Sequence, residues 1–279
     1  MYTDRVLSRL RHGCIASAGV MALLIVPMQT SMAAPDDGGD AYQWQFFGAL
    51  AYGPRDIDGD IFLTNGGAGS GYATADSLGL GTADSFQFRL GARYKRWRFS
   101  VDYLPTNYSG EGFALASIDL PNRPPIDFTT PVVSDIDVEI LLANVNYELL
   151  QTANWRGSVG LGFGRTTLDI SLDPEVGEGV FFDSNTPFGY ISGDIRRYFG
   201  RWSVLAAIQW ISGDFGGFNM AYGNFNVSAG YVFPLEKTAV EVLAGYRRID
   251  FKFDYNIDGQ ETIADFTMEG PYIGTAISF

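Results

Sequence analysis

Among its 279 residues the chain has one cysteine, Cys14, and one histidine, His12. One thiol excludes a disulfide framework within the chain, and if residues 1–33 are removed as the signal described below, Ser–His and Cys–His nucleophile pairs and His-based zinc sites are excluded too. Basic residues are scarce too, 19 against 32 acidic ones, for a net charge of −13. No basic face is left to wrap phosphates, so no nucleic-acid partner is expected. Past the N-terminus no apolar run approaches the roughly 18 residues of a membrane-spanning helix. Charged residues are only 18% of the chain, below the about 25% usual in soluble domains. Hydrophobic residues are abundant at 46%, as are aromatics at 15% and glycine at 34 residues.

The first 33 residues predict a secretory signal peptide. Arg5, Arg9 and Arg11 precede an apolar run from Ile15 to Met28, and Ser31-Met32-Ala33 offers a small-x-small cleavage site before Ala34. Cleavage would remove Cys14, His12, three of the 19 basic residues and one of the 32 acidic ones, leaving a net charge of −15. Cys14 is not expected to carry lipid, because Arg11-His12-Gly13 precedes it and the apolar run follows it. An exported chain with no cysteine must be held by packing or by closed hydrogen bonding. Residues 34–41 would then be a short periplasmic segment.

From residue 42 onward the hydrophobic pattern repeats every two residues. Trp97, Phe99, Val101 and Tyr103 alternate with Arg98, Ser100 and Asp102; Phe86 to Tyr94 and Phe225 to Phe233 behave alike. Such alternation predicts strands with one apolar and one polar or small face. Ten are expected, at 42–52, 84–94, 97–108, 135–149, 155–172, 187–199, 202–213, 223–233, 238–255 and 264–279. Three change parity midway: 135–149, where Ile136, Val138 and Ile140 give way to Val145, Tyr147 and Leu149; 155–172 near Arg165; and 238–255 near Arg247-Arg248. One extra residue shifts a register, so a β-bulge is expected in each.

The connections alternate between short and long. Short ones fall at Lys95-Arg96, Gln151 to Asn154, Gly200-Arg201 and Pro234 to Lys237. Long ones span roughly 53–83, 109–134, 173–186, 214–222 and 256–263. Tight turns on one side and long loops on the other are the rhythm of a transmembrane β-barrel. Its strand number is expected to be ten, with eight or twelve as alternatives if a segment such as Ile61 to Asn65 is misread. Aromatics bracket the short turns: Trp44, Tyr94, Trp97, Tyr147, Trp155, Phe199, Trp202 and Phe233 would form a girdle at one membrane boundary. The barrel would run over residues 42–279.

The chain ends Gly270-Pro271-Tyr272-Ile273-Gly274-Thr275-Ala276-Ile277-Ser278-Phe279. This segment resembles the C-terminal strand of bacterial outer-membrane β-barrel proteins, and the mature chain resembles small Gram-negative barrels of the porin-like or surface-antigen class. The resemblance implies an all-β antiparallel barrel in the outer membrane, in contact with lipid and lipopolysaccharide. It also implies recognition by the barrel-assembly machinery through Phe279.

The face opposite the aromatic one would fill the lumen with charges of both signs in near balance: Arg89, Arg93, Arg98, Asp102, Asp137, Glu139, Glu148, Arg156, Asp194, Arg196, Glu241 and Arg247. These should pair across strands, and Gly160, Gly162 and Gly164 would relieve crowding beside them. The acidic excess would lie in outer loops, at Asp56, Asp58, Asp60, Glu111, Asp119, Asp127, Glu175, Glu178, Asp183, Asp214, Asp258 and Glu261. Acidic loops beside lipopolysaccharide phosphates would call for bridging divalent cations. Asp56-Ile57-Asp58-Gly59-Asp60 resembles a calcium loop only in part, because Ile61 and Gly67 stand where glycine and glutamate are required.

No cofactor, metal or catalytic site is expected. Gly66 to Gly71 lacks the Lys-Ser/Thr of a phosphate cradle, and Asp137 and Glu139 suit salt bridges better than paired-carboxylate hydrolysis. The expected function is a non-enzymatic surface scaffold with long acidic outer loops and an unknown surface ligand. The alternative is a narrow porin-like channel or small-solute transporter.

Overall fold

A computed structural model describes residues 44–64, 70–118, 126–174, 180–214, 218–236, 238–257 and 260–279. The expected signal peptide and periplasmic segment lie outside these residues, as do Asp119, Glu175, Glu178 and Asp258. Eleven strands account for most of what is described: β1 Trp44–Thr64, β2 Ser70–Thr74, β3 Ala83–Tyr94, β4 Trp97–Ile118, β5 Ile126–Gln151, β6 Trp155–Pro174, β7 Val180–Phe199, β8 Trp202–Asp214, β9 Phe218–Pro234, β10 Ala239–Ile257 and β11 Gln260–Ser278.

All pairings are antiparallel, and each strand joins its sequence neighbour except at β2. β11 returns to β1, from Phe47↔Ser278 to Leu63↔Thr262, so the sheet closes. Phe46 and Phe279 finish the seam by exchanging backbone hydrogen bonds of 2.7 and 2.9 Å. Ten strands form the ring. Closure matters because an open edge in lipid would leave backbone N–H and C=O groups without partners.

The eleventh strand extends the wall. β3 starts at Ala83, opposite Arg55, so the upper part of β1 has no partner there. β2 fills that gap, pairing with β1 at Asp60↔Thr74 and with β4 at Gly71↔Ala116. The stretch from β2 to β3 turns inward against the wall. Ser134 Oγ donates to Leu78 O at 3.0 Å, Phe113 N donates to Ser77 O at 2.6 Å, and Leu78 is fully buried. A Cβ on Gly112 would stand 2.1 Å from Ser77 O, so only glycine admits this approach.

The strands are longer than the sequence suggests. β4 and β5 pair without interruption from Trp97↔Tyr147 to Ile118↔Ile126. A spanning strand needs about 9–11 residues, and β5 has 26. Much of what reads as outer loop is therefore wall. Asp56, Asp58 and Asp60 lie on β1 and Glu111 on β4.

The three expected bulges are absent. β6 pairs with β7 in one register from Trp155↔Arg197 to Leu172↔Val180, and β10 pairs with β11 in one register throughout. Along β5 the one shift falls between Glu148 and Leu150, beside the short turn, and not mid-strand. What changes is the chemistry of each face. In the lower half, outward positions on β5 are Leu141 and Val145, and inward ones are Asn144, Asn146 and Glu148. In the upper half the outward residues are Asp135, Asp137 and Glu139, while Ile136, Val138 and Ile140 point in and are buried. Likewise β10 presents Val242 and Tyr246 outward below but Arg248 and Lys252 above, with Ile249, Phe251 and Phe253 inside.

Two environments explain the exchange. The lower band faces lipid, so apolar groups point out. The upper wall faces water, so apolar groups turn in, as in a soluble barrel. On β1 the aromatics Trp44 and Tyr52 mark the ends of the lower band, and on β8 Trp202 and Trp210 do so. Eight residues at about 3.3 Å each, shortened by strand tilt, give a band roughly 20 Å high, near the ~25 Å of barrel lipid faces.

Candidate functional site

The lumen holds two layers. The upper layer is an apolar plug. Phe188 and Tyr222 rings lie 4.8 Å apart, Tyr190 packs 5.9 Å from Phe188, and Phe251 meets Phe253 at 4.4 Å. Tyr108, Ile136, Leu142 and Leu168 are buried beside them. Glycines on β6 make room, since a Cβ on Gly162 would meet the Tyr190 ring at 2.1 Å and one on Gly164 the Phe188 ring at 2.3 Å. On Gly160 it would fall 2.3 Å from Val145 O and 2.8 Å from the Asn146 side chain.

Beneath the plug a belt of neutral polar groups crosses the barrel. Arg247 Nε donates to Asn224 Oδ1 at 2.9 Å, Asn224 Nδ2 donates to Gln209 Oε1 at 2.6 Å, and Gln209 Nε2 donates to Asn144 Oδ1 at 3.3 Å. Asn144 Nδ2 in turn reaches Asp102 Oδ2 at 3.4 Å. The amides Asn224, Gln209 and Asn144 persist this deep because each finds a partner.

The lowest layer is a vestibule of about 540 Å³. Its lining reaches the short turns at Ala153, Gly200 and Leu235, so it lies at the short-turn end of the barrel. Charges pair across its walls. Arg89 Nε meets Asp102 Oδ1 at 2.5 Å, Arg93 pairs with Glu148, and Arg98 grips both oxygens of Asp194 while also donating to Ser158 at 3.0 Å. Arg196 Nη1 meets Glu241 Oε2 at 2.9 Å, and Ser203 donates to the other Glu241 oxygen. Arg156 lies over the Tyr198 ring with its Cζ 5.8 Å from the centroid.

Two members expected here are elsewhere. Asp137 and Glu139 sit on the outer wall, where Asn107 donates to Asp137 and Tyr103 Oη donates to Glu139 at 3.1 Å. They follow the unbroken parity of β5, which an assumed bulge would have reversed. Arg55 was missed. It points inward and is buried, one position before the outward Asp56, within a stretch that reads as loop. Alternation through Gly53, Arg55 and Ile57 was the signal for it. With these changes the lumen is no longer balanced. Among the described side chains, seven arginines face four carboxylates, Asp102, Glu148, Asp194 and Glu241.

Aromatic residues lie beside the short turns at the lower rim. Trp44 stacks on Tyr94 at 4.9 Å, Trp97 meets Tyr147 at 5.0 Å, Trp202 meets Tyr231 at 5.1 Å, and Tyr231 meets Phe233 at 4.8 Å. Arg197 lies over both Trp155 and Phe199, at 4.9 and 4.3 Å. Trp155 is half-buried, whereas Trp44, Trp97, Phe199, Trp202 and Phe233 are exposed.

The sequence matches no protein-family model and no curated protein. Solved structures do match. The outer membrane protease OmpT of Escherichia coli aligns at 11% identity over 84% of this chain and 97% of that one, with a TM-score of 0.60. The chain has the fold of bacterial outer-membrane β-barrels. At such low identity the likeness carries the fold alone. OprG of Pseudomonas aeruginosa aligns at 14% identity over 85% of this chain and 95% of that one, with a TM-score of 0.38. Neisserial surface protein A gives 15% identity, 84% and 97% coverage, and a TM-score of 0.31. The barrel's place in the outer membrane accords with its exposed apolar band, which includes Leu90, Leu161, Phe163, Ile208 and Ile273.

Proposed function

We propose that the barrel is a sealed, non-enzymatic scaffold that carries an acidic wall beyond the outer leaflet. The observation that carries this reading is the apolar plug. Tyr222, Ile136 and Leu142 are wholly buried within the upper lumen, and an ion would have to shed its water to pass them. A narrow channel or small-solute transporter would need this plug to rearrange. The carboxylates Asp137 and Glu139 lie on the outer wall, each tied up by a hydrogen-bond donor, and the sole histidine falls within the expected signal peptide. Those features favour a non-catalytic role.

The outer wall carries Asp56, Asp84, Asp137, Glu139 and Asp169 just above the lipid band. Lipopolysaccharide phosphates at that height would be bridged to such residues by divalent cations. The surface ligand would bind higher on the wall. Phe279 would serve as the assembly signal; its ring lies 6.3 Å from that of Phe46 at the seam. Replacing it with Ser should slow insertion into assembly-machinery vesicles without altering the registers that form.

The direct test of the plug is conductance in planar bilayers. The wild-type barrel should be silent, and the pair Phe188→Ala and Tyr222→Ala should open steady single-channel steps. Regular conductance from the unaltered protein would overturn the sealed reading.

A further inference from the structure

Charges in the vestibule do not cancel. Arg93, Arg98 and Arg196 each have a carboxylate partner, and Arg89 has Asp102. Arg156 and Arg247 have none among the described residues. Arg247 is 1% exposed and lines the roof; its Nε is held by Asn224, and its Nη1 has no acceptor. Arg55, above it, likewise has an unpartnered Nη1 and lies within electrostatic reach of Arg247. Arg247 feels Asp102 only across space, with no carboxylate in contact, while Arg55 repels it, and buried guanidinium groups so weakly compensated are expensive to keep. A carboxylate entering the pocket would relieve that cost, because the guanidinium fork matches it in shape.

The spacing limits the ligand. Arg156 stands one residue into β6, near the mouth, while Arg247 stands eight residues above the start of β10. With strand tilt, the two Cα atoms differ in height by about 20 Å, part of which the long side chains close. A single small ion cannot serve both. An extended chain with several carboxylates can, and 540 Å³ lies within the roughly 300–1,000 Å³ of ordinary ligand pockets.

We propose that the vestibule binds an extended polycarboxylate, an acidic peptide segment entering from the periplasmic side, with Arg156 holding one end and Arg247 the other. Two sources fit that chemistry. One is a free acidic peptide. The other is this chain's own Asp36-Asp37-Gly38-Gly39-Asp40, which precedes Trp44 at the mouth and whose three carboxylates equal the lumen's excess of three arginines.

The test uses the full mature barrel in detergent micelles and a fluorescent Asp-Asp-Gly-Gly-Asp peptide read by anisotropy. Saturable binding is expected, weakening with added NaCl and at least tenfold in Arg156→Gln and Arg247→Gln. Heat-modifiable gel migration checks that each variant is folded, and half-exposed Arg156 keeps the test alive if Arg247→Gln fails to fold. A triple variant, Asp36→Asn, Asp37→Asn and Asp40→Asn, separates the sources. Tighter peptide binding by it means the chain's own segment occupies the pocket, and unchanged saturable binding means a free peptide does. Absence of saturable binding to both the wild-type and the triple variant would overturn the proposal, and so would binding indifferent to Arg156→Gln. The inference shares with the sealed-barrel reading only the idea of a dead-ended pocket, and conductance and peptide binding can fail independently.

Discussion

The lower and upper halves of this barrel use the same strands, in the same register, with opposite chemistry. On β6 the outward Leu161 and Phe163 are followed by outward Arg165 and Asp169, while inward Ser158 is followed by inward Leu168 and Ile170. Nothing in the backbone marks the crossing. Parity fixes which residues share a face, and the solvent on the outside decides which face must be apolar. A membrane barrel that continues into water therefore has to exchange its inside and outside composition at the boundary.

The comparison breaks most sharply with a charge in the upper interior. Ile136→Asp places an unpaired carboxylate among Leu78, Tyr108 and their neighbours, and should destabilise the barrel by about 4 kcal/mol or more in urea titrations in detergent. The same charge is already tolerated one residue away, at outward Asp137. Next comes the paired interior of the lower half. Asp194→Asn strips Arg98 of its partner and should cost about 3–5 kcal/mol, read by the same titration, whereas replacing both Arg98 and Asp194 by apolar residues should recover much of the loss.

On the outer surface the two halves should diverge. Leu161→Arg, in the lipid band, should cost about 2–4 kcal/mol in refolding into lipid vesicles. Asp169→Arg, eight residues further along the same face of the same strand, should change stability by no more than about 0.5 kcal/mol. The smallest effect is expected at the water-exposed pair Lys252–Asp265, 2.8 Å apart. The Asp265 hydrogen bond and charge hold the Lys252 ammonium above the usual lysine range. A raised lysine adds stability below its unfolded value and loses it as pH climbs through the folded one. Because both groups are half exposed, Lys252→Gln should leave the unfolding midpoint nearly unmoved at pH 7, with any difference from wild type vanishing at strongly alkaline pH.

Much of the architecture was legible because period-two alternation survives wherever one face is buried. The ten ring strands, the short turns and the rim aromatics all rest on that signal. So does the inward placement of Arg93, Arg98, Arg196, Glu148, Asp194 and Glu241, whereas their partners follow only from the register and closure of the sheet. The mistaken bulges share a single cause. A reversal of apolar parity looks the same in sequence whether the chain slips by one residue or the surroundings change, and lipid leaves no local mark. Asp137 and Glu139 were placed inside for that reason, and Arg55 was lost because its stretch was read as loop. β2 escaped notice because five residues beside the glycine-rich 66–71 carry too little pattern.

The uninterrupted β4–β5 ladder has a consequence for how such a surface could diversify. Beyond the lipid, every second residue of a rigid wall is presented to the surroundings while its neighbours carry the packing. Exterior positions can then be rewritten one at a time, altering what the cell displays, without renegotiating the frame that displays it.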